Sequence, residues 1–138
     1  MSKNSLKLLV VLLKSSHTIT NKVRKDMVQY GVNPTEFAVL ELLYNKGKQP
    51  IQHIGKKILL ASSSTTYVVD KLEEKGLVLR TDCLEDKRIV YASLSDKGIE
   101  FMEESFPQHE IAIDNLFEHL NEDEVLEAIR LLKKIGLK

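Results

Sequence analysis

The sequence lacks a charge of one sign. Across 138 residues, 20 Lys and Arg offset 20 Asp and Glu, for a formal net charge of zero. Bulk charge therefore argues for no class of partner, and a nucleic-acid footprint would have to be local, on one face. Cysteine is nearly absent. The lone Cys83 excludes an internal disulfide and a multi-cysteine zinc site, and it fits a reducing compartment. Long apolar runs are also missing. The longest, Leu8 to Leu13, is ended by Lys14, far short of the ~20 residues a spanning helix needs. It is short for a signal-peptide core as well, and no small-residue cleavage site follows. No membrane association and a cytoplasmic location are expected. The sequence has no internal repeat, no low-complexity linker, no glycine-rich phosphate loop and no metal-ligand cluster. Its four histidines, His17, His53, His109 and His119, are scattered. No catalytic residue, cofactor or metal is expected, and the chain does not read as an enzyme.

What is present is a globular composition, 43% hydrophobic and 29% charged, on a chain long enough for one domain with a real core. Residues 5–29 carry Leu6, Val10, Leu13, His17 and Thr20 at helical spacing and read as one long helix stopped near Gly31. Asn33, Pro34 and Glu36 form an N-cap, a first-turn proline and the third position of a capping box, opening a helix over 34–46 that Gly47 ends. A short helix follows over 50–58, with Ile51, Ile54 and Ile58 on one face. The next runs from Ser62 to Lys75. Thr65, Val68, Val69 and Leu72 face inward, and Ser63, Thr66, Tyr67, Asp70, Lys71 and Glu74 face outward. The period then changes. Residues 77–81 and 89–94 are β-rich and flank a polar loop, 82–88, which makes a hairpin with a charged tip. Ser95 caps a long helix in which Pro107 marks a kink or break, and Asn121 with Glu124 boxes a last helix over 122–135. The fold class is mainly α. A helix, a tight turn and a second helix followed at once by a two-stranded hairpin make a winged helix-turn-helix over about 33–95. Helices from the two chain ends, 1–32 and 96–138, can pack together and admit a second copy.

This order points to DNA. A recognition helix presents short polar side chains from its N-terminal end to base edges, and its end amides suit phosphates. Ser62, Ser63, Thr66 and Tyr67 have that character, and Lys71 lies one turn beyond Tyr67. The same serines on an isolated segment would merely cap a solvated helix. The adjacent hairpin decides for DNA. Its tip carries Asp86-Lys87-Arg88. A guanidinium on a protruding loop suits a narrow minor groove, and Asp86, which repels phosphate, is placed to hold Arg88 in position.

Residues 33–98 resemble the MarR family. The match lies in Val69-Asp70-Lys71-Leu72-Glu73-Glu74-Lys75-Gly76-Leu77-Val78, then Arg80, Asp86-Lys87-Arg88 and Leu94-Ser95-Asp96-Lys97-Gly98. The resemblance makes Lys87 and Arg88 the DNA-binding residues of the wing, although Lys87 stands where the family usually has arginine. The resemblance implies a homodimer, with the terminal helices as dimerisation helices. It further implies a pseudo-palindromic double-stranded operator, usually repressed and released by a small ligand or oxidant. Half-sites should lie about one helical turn apart. Within the family, Asn33 to Tyr44 and Ile58 to Ser62 most resemble the quinone-responsive branch. That implies release by quinones or related aromatic electrophiles and control of detoxification or stress-resistance genes.

Three residues sit oddly on apolar stripes: His17 after Leu13, Glu41 between Phe37 and Tyr44, and His109 after Met102 and Ser105. A carboxylate there is costly unless it is paired or near a cavity. An internal Glu–His hydrogen bond with a purely structural role accounts for the same pattern. In the family the inducer pocket commonly lies between the dimerisation helices and the winged unit. The resemblance thus makes Phe37, Glu41, His109 and His17 candidate ligand residues. Cys83 offers a rival, thiol-based sensor, although Asp82 and Glu85 disfavour its thiolate and no second cysteine is present to resolve a sulfenic acid. A winged helix that has lost DNA binding and serves as a protein-interaction module is a third reading, kept open by the neutral net charge.

Overall fold

A computed structural model describes residues 3–58 and 62–136; the side chains of Ser62 and Ser63 fall outside that description. In chain order the elements are α1 (Lys3–Val28), α2 (Pro34–Lys46), β1 (Gln49–Pro50), α3 (Ile51–Lys57), α4 (Ser62–Glu74), β2 (Val78–Asp82), β3 (Val90–Leu94), α5 (Asp96–Leu116) and α6 (Glu122–Gly136).

The local signals fix the ends. The Asn33 side chain accepts from the Glu36 amide at 2.8 Å, and the Glu36 carboxylate accepts from the Asn33 amide at 2.9 Å, so α2 begins with both halves of its capping box made. Asn121 and Glu124 repeat the device before α6, at 3.0 and 2.9 Å. Ser95 caps α5 by accepting from the Gly98 amide. Pro107 lies inside α5, which runs on to Leu116 without breaking. The missing proline N–H costs one rung of the ladder, and the turns on either side hold the helix.

The helix-turn-helix, α3 and α4, packs on α2 and on a small antiparallel sheet of order β1-β3-β2. The hairpin pairs Val78 with Leu94 through Asp82 with Val90. β1 is absent from the sequence reading. It adds Gln49 opposite Ala92 and Pro50 opposite Tyr91, so the base of the wing has three strands. A proline is tolerated there because β1 is an edge strand. One core joins these elements: Phe37, Leu40 and Leu43 of α2, Ile54 of α3, Val69 and Leu72 of α4, Val78 and Ala92 of the sheet, Met102 of α5 and Met27 of α1. All the expected inward residues of α4, Thr65, Val68, Val69 and Leu72, are buried.

The outer helices are different. The first half of α1 leaves Leu6, Leu9, Val10 and Leu13 exposed. No residue of α6 is buried, and Leu126, Ile129, Leu132 and Ile135 form an exposed apolar stripe along it. No helix among the described residues is long and apolar enough to cross a membrane.

Candidate nucleic-acid interface and ligand pocket

Helix α4 and the wing share one face of the molecule. Tyr67 and Thr66 are exposed on α4, and the Lys71 ammonium lies 5.5 Å from the Tyr67 ring centroid and 3.5 Å from Glu74. Both Lys71 contacts are solvated and weak, so the lysine is held loosely enough to exchange them for a phosphate. Ser62 opens α4, but its side chain and that of Ser63 are outside the described residues.

The wing tip is more ordered than a charged turn needs to be. Asp86 accepts three hydrogen bonds from Arg88: from the backbone N–H at 3.0 Å, from Nε at 3.1 Å and from Nη2 at 3.1 Å. The bidentate guanidinium pair and the backbone bond hold the Asp86 carboxyl below its ordinary range. The Arg88 side chain is 90% exposed all the same. It is oriented without being covered. Lys87 beside it is exposed, and Cys83 is half-buried at the foot of the loop, with its amide donating to the Ile89 carbonyl.

Sequence reasoning missed Arg80 as a site residue. From β2 it pairs with Asp70 and, at 3.8 Å, with Glu73, and it donates to the Thr66 carbonyl at 3.5 Å. It straps the wing to the outward face of α4. Its Nε is buried without a hydrogen-bond partner among the described residues. An open cavity of about 320 Å³ lies here, lined by Pro50, Gln52, Thr66, Arg80 and Arg88 among others. The signal was in the sequence, since Arg80 stands in the family match, but the strap depends on a tertiary approach to α4.

A second constellation lies where α1 and α5 meet α2. The His109 ring stacks on Phe37 with centroids 4.5 Å apart, and its Nδ1 faces Asp26 Oδ2 at 3.7 Å. Those two atoms and the Tyr30 hydroxyl are buried with no hydrogen-bond partner among the described residues. Burial, and then the Asp26 charge, push the Tyr30 phenol up, so it keeps its proton. His109 and Glu41 line one open cavity of about 320 Å³ together with Phe106, Glu110, Ile113 and Asp114. Phe37, at 1% exposure, is core beneath His109 and does not line this cavity. His17 is exposed on α1, with its Nε2 3.1 Å from the Asn21 amide nitrogen, about two and a half turns from Asp26.

A helix-turn-helix with a strapped wing, carried between outer helices, defines a winged-helix transcription regulator. Comparison with known proteins gives the same class. The MarR family model matches residues 32–90. The chain is 48% identical over 137 residues to the HTH-type transcriptional regulator MhqR of Bacillus subtilis, covering 99% of this chain and 94% of that one. The fold is that of Sco3205, a MarR family transcriptional regulator of Streptomyces coelicolor solved in complex with DNA (TM-score 0.93, 19% identity, covering 100% of this chain and 94% of that one). It is also that of BpsR of Bordetella bronchiseptica, solved to explain regulation of its DNA binding by 6-hydroxynicotinic acid (TM-score 0.84, 20% identity, covering 94% and 98%). The chain belongs to the MarR family, and it is a regulator, not an enzyme.

Proposed function

We propose that the protein is a homodimeric repressor that binds a pseudo-palindromic operator through residues 33–95 and is released by quinones or related aromatic compounds. Residues 1–32 and 96–138 form the dimerisation region. The observation that carries the DNA reading is Arg88, fully presented yet held by Asp86 at the tip of a wing that Arg80 fastens to the recognition helix. Such preorganisation suits insertion into the minor groove while Thr66, Tyr67 and Lys71 face the major groove, and Ser62 and Ser63, whose side chains lie outside the described residues, are proposed from the sequence to join them. The exposed apolar stripes of α1 and α6 favour burial by a second copy.

The cavity shared by Glu41 and His109 is the candidate inducer site. Its polar lining includes Glu110 and Asp114, which sequence reasoning did not single out. Carboxylates only accept hydrogen bonds. They suit ligand hydroxyls, and the His109 ring, whose nitrogens donate or accept according to tautomer, can meet a hydroxyl or a carbonyl, with Phe106 and Ile113 against the ligand ring. Control of detoxification or stress-resistance genes follows from such a ligand.

Separating the two functions tests the reading. Arg88→Ala is expected to weaken operator binding by about ten-fold or more with the dimer intact. Glu41→Gln and His109→Ala are expected to keep operator affinity and blunt release by a hydroquinone or quinone. Normal release in both pocket variants would place the inducer elsewhere.

A further inference from the structure

We infer that Lys75, held by Glu36 and bonded to the Gly31 carbonyl beyond the winged unit, is a positioning device that sets the recognition helix relative to the dimer frame, and so selects the spacing of the operator half-sites. The inference rests on the dimer reading above.

The chain passes between the outer helices and the winged unit at two places: from α1 to α2 through Gly31–Asn33, and from β3 to α5 through Ser95–Gly98. Both passages converge on the last turn of α4. Lys75 Nζ donates to the Gly31 carbonyl at 3.0 Å and to both oxygens of Glu36 at 2.9 and 3.0 Å. The same Glu36 carboxylate closes the capping box of α2, so Glu36 and Lys75 together tie the α1–α2 turn, the start of α2 and the chain leaving α4. On the other side, Lys97 Nζ donates to the Lys75 carbonyl at 3.0 Å and Ser95 Oγ to the Gly76 carbonyl at 2.6 Å.

The placement is selective. Glu36 has a side-chain exposure of 6%, against 38% for Lys75. A carboxylate that deep needs its partner, so the lysine is not free to wander as Lys71 is. Among the described residues, the other ion pairs of α4 reach along the helix or across to the wing. They move with the winged unit as one body. Lys75, the residue that follows α4, grips the α1–α2 turn with its charged head through Gly31 and Glu36. In a two-fold dimer an angular change at that junction acts on both recognition helices in opposite senses, and their separation is what half-site spacing reads.

The test measures that separation directly. A spin label is placed on cysteine at Tyr67→Cys in a Cys83→Ser background, and the distance between labels in the two protomers is measured by double electron–electron resonance. The double variant Glu36→Gln/Lys75→Met removes the pair without leaving a buried orphan charge, and glutamine keeps the capping box. Lys75→Arg is the conservative control. The parent and Lys75→Arg are expected to give one narrow distribution, and the double variant one broadened or displaced by several ångströms, with the dimer intact. With Tyr67 intact and no label, the double variant is also expected to lose most of the unsubstituted protein's preference between a bound promoter fragment and the same fragment with one base pair inserted at its centre of symmetry. A double variant that melts earlier but keeps the parent's distribution would overturn the inference and leave the pair a structural staple. Absence of any inter-protomer distance in the parent would instead overturn the dimer reading.

Discussion

Asp86 gains nothing from phosphate, and its place at a DNA-facing tip makes sense only through Arg88. The arginine makes both its side-chain bonds to that carboxylate while staying exposed, so little orientational freedom remains to be lost on binding. The sign of the pH effect follows. Because Arg88 holds the Asp86 carboxyl below its ordinary range, the clamp is complete above that range and is lost only as pH falls through the lowered value. The Arg88→Ala penalty on operator affinity is therefore expected to be equal at about pH 6 and about pH 8. Titration of the same promoter fragment at both values checks this, and a penalty that shrinks at the lower value would mean the clamp does not carry the contact. Residues of this kind were legible in part. Asp86 and Arg88 are neighbours in sequence and their pairing is local. Arg80 with Asp70 and Thr66, and His109 with Asp26, join residues whose approach exists only in the fold.

At the scale of elements, sequence reasoning succeeds where the information lies within one turn. Both capping boxes, the inward face of α4 and the existence of the hairpin rest on spacing of four residues or fewer, or on β-rich composition between turn signals. It fails for β1, whose two residues carry no periodicity and are a strand only because β3 lies beside them. Of the kink or break it expects at Pro107, the break does not occur, since α5 continues to Leu116. The junction of the wing and α5 leaves no room for a side chain at Gly98. Gly76 turns the chain with φ of 78°, and a Cβ on Gly98 would stand 2.1 Å from the Leu77 carbonyl oxygen. Backbone cannot yield as a side-chain tip does. Gly98→Ala is expected to destabilise the protein by about 1–3 kcal/mol, read as an earlier unfolding midpoint in urea. A midpoint equal to the parent's would show that the α5 junction gives way freely.

At the scale of the whole molecule, large apolar side chains are exposed in stripes on the two outer helices α1 and α6. α6 buries nothing and the first half of α1 covers little, yet both carry leucine and isoleucine or valine in quantity. A charge placed in the α6 stripe, Leu132→Glu, is expected to shift the protein from dimer to monomer in sedimentation velocity and to abolish tight operator binding, because two half-sites are then no longer held together. The neutral net charge makes the central claim sharp. DNA binding has to come from a local face, and the salt dependence of affinity counts the phosphates that face contacts. The direct measurement is a fluorescence anisotropy titration of promoter DNA from upstream of the protein's own gene, at two salt concentrations, with and without a small hydroquinone or quinone, on the parent and on Cys83→Ser. The account predicts specific binding that weakens steeply with salt and is released by the aromatic compound in both proteins. Salt-insensitive binding, or release confined to the parent, would contradict it: the first removes the phosphate-facing surface, and the second moves the sensor from the Glu41–His109 cavity to Cys83.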